Sequence, residues 1–274
     1  MWLSLVERSV RDREVVGSNP AIPTIRTLTA GRDQRPAVRH TEAVCVIQSL
    51  LHWLGLGLCH QLPERSFFGG GVQVPVCARD TGIYLGFLLS ILIISVLHKG
   101  SRPREFPSAA GWVAIGLMIA AMGVDGVSSY AGWRTTTNDL RLITGLLAGY
   151  AIAAMLTPML NDVLWRTGSR DRVLDPTWRL LAWLATVPVA FILIRFGAPL
   201  MGIGYPILVA AVIVVTLTAV NLVIVALLPP FERRADRLRD AWLPILIALG
   251  FTALEIWLSG LLRLWLEATV SRIS

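Results

Sequence analysis

Apolar positions divide the chain into long hydrophobic runs separated by short polar connections. Six of these runs, residues 81–98, 110–130, 142–160, 179–196, 203–228 and 242–262, come close to or exceed the length needed to cross a bilayer. That length is roughly 20 apolar residues for a helix rising about 1.5 Å per residue. A further run, residues 43–58, is shorter and contains Gln48 and His52, so it reads as a span or as a helix lying in the membrane interface. Nothing alternates in the manner of barrel strands. The pattern predicts an all-α fold: a polytopic transmembrane helix bundle of six spans, with 43–58 as the additional segment. Prolines at 158, 188, 206 and 244 fall within or near the runs and predict local kinks. The expected organisation is a lead-in over 1–42, a membrane core over 43–160 and an additional three-helix membrane region over 161–274.

Composition supports lipid as the solvent. With 54% hydrophobic and 16% charged residues, the chain is too apolar to close as a water-soluble domain. The net charge of +7 would suit a nucleic-acid ligand only if it were clustered on one face or tail, and it is scattered between apolar runs. The lipid bilayer is therefore the expected partner, and nucleic acid is not. All but one of the 25 basic residues are arginine. If 43–58 spans, alternate connections place fifteen basic residues on one side and seven on the other. The richer side is expected to be cytoplasmic, with the N-terminus there and residues 59–80 and 131–141 extracytoplasmic. Trp112, Trp133, Trp178, Trp242 and Trp265 fall near span ends, where indole rings favour the interface. Gly82 with Gly86, and Gly145 with Gly149, present smooth strips for close helix approach.

The first 24 residues lack a signal-peptide core. Gly17-Ser18-Asn19-Pro20 is encodable by the T-arm consensus of a transfer-RNA gene, so the expected true start lies downstream; a short polar tail is the alternative. Residues 25–42, with Arg26, Arg32, Arg35 and Arg39, read as a basic lead-in in either case.

The connection CHQLPERSFFGGGVQVPVCARD, residues 59–80, holds the densest run of reactive side chains. Cys59 and Cys77 are 18 positions apart and admit a disulfide that closes the glycine-rich loop. They equally admit a metal site: Cys77 and Asp80 stand one above the other at the start of a helix, and Cys59 and His60 are available to complete a zinc-type ligand set. Adjacent Cys59 and His60 would diverge by about 100° on a helix, which counts against all four acting together. Neither role remains the third alternative.

CHQLPERSF, PVCARDTGIYLG, Asp125 in the second long span, and TNDLRLITGLLAG together resemble an uncharacterised prokaryotic membrane-protein family, domain of unknown function 2085, over about residues 59–156. The resemblance implies a shared membrane core and a shared polar site, and no activity. In that family the stretch after Pro75 commonly reads Cys-Ala-Arg-Cys, whereas Asp80 stands here in place of the second cysteine. The change removes dithiol chemistry from that pair and leaves a metal ligand.

Arg79, Asp125, Asn138 and Arg141 fall near one membrane level and are the expected wall of a polar site. Asp80 or Asp125 paired with Arg141 would neutralise charge there. Arg195 and Glu255 match in depth and are expected to form a buried ion pair, with a proton or substrate relay as the alternative. Nucleotide-binding, serine-hydrolase, zinc-protease and haem signatures are absent. The expected function is binding of a metal ion, zinc among the candidates, or of a small polar ligand. A membrane enzyme (thiol oxidoreductase or lipid-modifying) and a small-solute transporter are the alternatives.

Overall fold

The computed structural model describes residues 35–273, and side chains over 44–197 and 200–271; the expectations for residues 1–34 lie outside them. Glu42–Ser274 forms one compact unit. Seven α-helices are described: α1 (Arg35–Leu56), α2 (Ala78–Leu97), α3 (Ala109–Tyr130), α4 (Asn138–Leu164), α5 (Thr177–Ile192), α6 (Gly204–Ala226) and α7 (Trp242–Ile273). From α2 onward, six are long and apolar enough to cross a membrane, as the hydropathy pattern requires. Within α1 only Val44–Leu56 is apolar, and it is the shorter helix of the group. Two two-stranded ribbons complete the fold: antiparallel β1 (Phe68–Gly69) with β2 (Val72–Gln73), and parallel β3 (Pro103–Glu105) with β4 (Ser169–Arg172).

The centre of the bundle is the contact between α2 and α4. Gly82 and Gly86 face Leu142, Gly145 and Leu146, and Gly149 faces Ile83 and Phe87, so a Cβ on any of these glycines would meet the opposite backbone. The two strips expected from spacing thus pack on each other. Around this seam Leu142, Leu146, Tyr150 and Trp183 are fully buried. Trp183 donates to Ser90 Oγ at 2.9 Å and the Tyr150 hydroxyl meets Thr186 at 3.1 Å, so polar edges in the apolar layer have partners.

Two expectations are corrected. Pro206 and Pro244 fall in the first turns of α6 and α7, where a missing N–H costs nothing, so they start helices; only Pro158 and Pro188 are helix-internal. The last helix runs to Ile273 instead of ending near 262. Its 32 residues reach roughly 48 Å at about 1.5 Å each, beyond a bilayer core of about 30 Å.

The end opposite the cysteine loop is latched by arginines. Arg233 Nη2 donates to both carboxylate oxygens of Asp162 at 2.8 and 3.0 Å, Arg104 approaches the same carboxylate, and Arg102 lies 3.8 Å over the Trp165 ring. His98, 2% exposed at the end of α2, accepts the Leu174 N–H on Nε2 at 3.2 Å. Burial, reinforced by Arg179 at 3.3 Å from Nδ1, lowers its pKa; Asp171 works weakly the other way.

Gly145→Leu must part α2 from α4 and is expected to cost about 1–3 kcal/mol or more, read as a lowered melting temperature in detergent. For His98, the unfolded chain binds its proton more readily than the fold. Stability from the neutral ring is therefore whole above about pH 6.5 and is lost as pH falls through that value toward the depressed folded pKa. The unfolding free energy of the parent, read by denaturation in detergent, is expected to fall faster than that of His98→Gln between pH 7 and 5.5, by up to about 1.4 kcal/mol per pH unit.

Candidate functional site

Residues 59–77 fold as a tied structure. Gly70 and Gly71, at φ +58° and +80°, make the two-residue turn that joins β1 to β2, a conformation open to glycine and costly for other residues. Val72, Val74 and Val76 are buried, so alternate side chains anchor the returning strand. Glutamine amides fasten the rest. Gln61 Nε2 donates to the carbonyls of His52 (3.0 Å) and Pro75 (2.8 Å). Gln73 Nε2 donates to Gln61 O (2.9 Å) and Ser66 Oγ (3.1 Å), and the Gln73 N–H donates to Gln48 Oε1 (2.9 Å). Gln48, which counted as an interfacial residue in the hydropathy pattern, is a tether between α1 and the hairpin.

This scaffold brings the cysteines together. The Cys59 N–H donates to Gly55 O at 3.0 Å, just past α1. Arg263 of α7 donates to Leu56 O at 2.7 Å and to Cys59 O, capping the carbonyl end of α1 with a cation. Cys77 is the residue preceding α2; its N–H donates to Cys59 Sγ at 3.3 Å and its thiol to Asp80 Oδ2 at 3.2 Å. The two sulfurs and a carboxylate oxygen of Asp80 lie within 4.8 Å of one another, half-buried. Both cysteines are free thiols. The neighbouring Cys77 side chain lowers the Cys59 pKa, and the same contact, with burial, raises that of Cys77. His60, expected as a fourth ligand, is exposed and outside the group, because the chain turns away through Gln61 at φ +54°.

A second polar group stands at the same end. Asp125, 1% exposed, is held by Arg79 at 2.5 Å, Arg134 at 2.7 Å and the Thr144 hydroxyl at 3.2 Å. The expected pairing of Asp80 or Asp125 with Arg141 is therefore corrected: Arg79 reaches Asp125 past Gly126, and Arg141 turns to Asn138 Oδ1, three residues back on its own helix, at 3.2 Å. Asn138 Nδ2 in turn donates to Glu64 O at 3.1 Å, fastening the Pro63–Arg65 turn to α4. Sequence reasoning placed Arg79, Asp125, Asn138 and Arg141 at one end and missed Arg134 and Thr144. Thr144 was findable, one turn beyond Leu140 on the face that meets α3; Arg134 needed the chain reversal at Gly132, φ +72°.

The expected pair of Arg195 and Glu255 does not form. Past α5 the chain winds into a π-helical turn, Leu193–Gly197, which carries Arg195 to Asp139 at 2.5 Å. Glu255 instead accepts from Asn221 Nδ2 at 3.2 Å, between adjoining α6 and α7. Arg195 thus lies beyond the end of α5 beside the first turn of α4, whereas Glu255 lies within α7 against Asn221 of α6, so the matched depth that suggested the pair is not a guide to their partners.

Fold and site together define a polytopic α-helical membrane protein with a thiol–carboxylate cluster and an arginine–aspartate group at one end of the bundle. The chain belongs to the family described as predicted membrane protein, DUF2085, whose model matches residues 59–155 and so spans both groups. An uncharacterised protein of Methanocaldococcus jannaschii is 35% identical over 109 residues, covering 40% of this chain and 67% of that one. One of Methanothermobacter thermautotrophicus is 38% identical over 111 residues, covering 39% and 90%. No solved structure matches.

Removing one partner from a buried ion pair strands the other. Asp125→Ala is expected to cost about 3–5 kcal/mol, and Arg134→Gln, at a half-exposed position, about 1 kcal/mol or less. The double replacement Asp125→Leu with Arg79→Met is expected to recover most of the loss. Denaturation in detergent checks all three, with Asp125→Leu and Arg79→Met measured singly to complete a double-mutant cycle.

Proposed function

We propose that the chain is a metal-binding integral membrane protein whose site faces the extracytoplasmic side, with Cys59, Cys77 and Asp80 as ligands to a thiophilic divalent cation, zinc first. The observation that carries this reading is the convergence of two thiols and a carboxylate within 4.8 Å, from residues up to 21 positions apart, on a scaffold tied at every turn. Zinc ligands at about 2.0–2.3 Å in tetrahedral array stand roughly 3.3–3.8 Å apart, so a contraction of about 1 Å would seat the ion. Three protein ligands leave the fourth position to water or to an exogenous group, the arrangement of sites that do chemistry at a metal. His60 is not assigned as a ligand. Sidedness rests on the arginine-rich connections at the other end, where Arg102, Arg104, Arg166, Arg172 and Arg233 gather.

The test is elemental analysis of full-length protein purified in detergent after zinc loading, in a Cys45→Ser background that leaves only the two site thiols. About one zinc ion per chain is expected, falling at least tenfold in Cys59→Ser and Cys77→Ser, falling partly in Asp80→Ala and unchanged in His60→Ala. After chelation, a membrane-impermeant maleimide added to intact cells should label Cys59. Zinc content equal in parent and Cys59→Ser would sink the metal reading, and labelling only after lysis would reverse the sidedness.

A further inference from the structure

The arginines at the loop end are not all accounted for by the carboxylates around them. Arg134 and one amino group of Arg79 are spent on Asp125, while Arg79 Nε is buried with no partner. Arg141 is only 9% exposed, and among the described residues the one hydrogen-bond partner of its guanidinium is the neutral Asn138 Oδ1. Arg65, in the exposed turn that Asn138 fastens to α4, is close enough for its charge to act on Arg141. The acids nearby are otherwise engaged or turned outward: Asp125 by two arginines and Thr144, Asp80 by Cys77, Asp139 by Arg195, and Glu64 in the exposed turn. Four guanidiniums, of Arg65, Arg79, Arg134 and Arg141, thus meet three carboxylates, of Asp80, Asp125 and Glu64.

A nine-tenths-buried guanidinium with donors aimed at no anion is costly to keep, and an apolar residue would serve packing better. Arg79 and Arg141 lie near the starts of α2 and α4, which run in the same direction and touch where Gly145 meets Arg79, so both helices direct their N-termini to this end of the bundle. We propose that Arg141, with Arg79 Nε and Arg65, receives a phosphate-type oxyanion, supplied by a phospholipid headgroup or by a free phosphate. The planar fork of arginine suits two oxygens of one such group, and Arg65 at the rim suits a ligand arriving from the membrane surface. This site lies beside the thiol cluster and does not depend on metal being bound there.

The full chain in phosphate-free detergent would be tested in two arms: native mass spectrometry for retention of phosphatidylglycerol over phosphatidylcholine, and equilibrium dialysis against radiolabelled inorganic phosphate. Binding is expected in at least one arm. Retention of lipid alone assigns the anion to a headgroup, and dialysis binding assigns it to a free phosphate. Arg141→Gln should weaken binding about tenfold or more, through loss of charge-assisted hydrogen bonds, and Arg65→Gln, on an exposed turn, by about threefold. Zinc content should be unchanged in both, whereas Cys59→Ser should lose zinc and keep the anion. Absence of binding in both arms overturns the proposal. So does undiminished binding in Arg65→Gln, even if Arg141→Gln fails to fold.

Discussion

Backbone contact between α2 and α4 is the constraint on which the rest of the structure depends. In lipid no hydrophobic force drives helix association, so pairing rests on packing and on polar partners. Gly82, Gly86, Gly145 and Gly149 remove the side chains that would hold the two backbones apart. Because the first turn of α2 meets α4 at Gly145 and the two run in the same direction, Cys77, Arg79 and Asp80 at the start of one and Asn138, Arg141 and Thr144 at the start of the other share a single end of the bundle. The glycines take no part in the chemistry, yet they set every distance within it.

Polar side chains in this protein serve mainly as fasteners. Asp125 ties α3 to α2 through Arg79, to the turn beyond it through Arg134 and to α4 through Thr144. Asp139 ties α4 to the π-helical turn after α5, and Asn221 ties α6 to Glu255 of α7. A carboxylate that carries protons or solutes across a membrane needs access to water and freedom to change partners. Asp125 has neither, held by three donors at 1% exposure, and that weighs against the transporter alternative at this residue. Arg141 departs from the pattern, with a single neutral partner for a buried charge.

Much of the architecture was legible because the forces that set it act along one dimension. Hydropathy located six spans and glycine spacing marked the strips that meet, since both depend on local sequence alone. The ends of the helices were less legible: α2 starts at Ala78 and α4 at Asn138, because polar first turns that donate to neighbouring elements do not look apolar. Pairings across helices failed most. Arg195, Glu255 and Arg141 were given wrong partners, since a position counted along a helix fixes one coordinate and the rotation and tilt of each helix, set by tertiary packing, fix the others. The glutamine tethers at positions 48, 61 and 73 carried no signal, because an amide that satisfies a carbonyl 14 residues away looks like any polar loop residue.

The first turn of α2 joins the two polar groups, and its residue order explains how one turn serves both. Cys77 and Asp80, three apart, face the same side, toward Cys59. Arg79 between them faces away, toward Asp125 and α4. An ion held by Cys59, Cys77 and Asp80 would fix the end of α1 and the Arg263 cap of α7 against this turn, while Arg79 already fixes the turn against α3 and α4. Under the proposed reading, metal and anion then act on opposite faces of one helical turn. Seating the ion draws Cys77 and Asp80 toward Cys59 and bears on Arg79 through the backbone they share. Asp80 suits that position better than a second cysteine would: it accepts the Cys77 thiol proton without a metal and offers an oxygen ligand with one, and in neither state can it close a disulfide that would lock the turn.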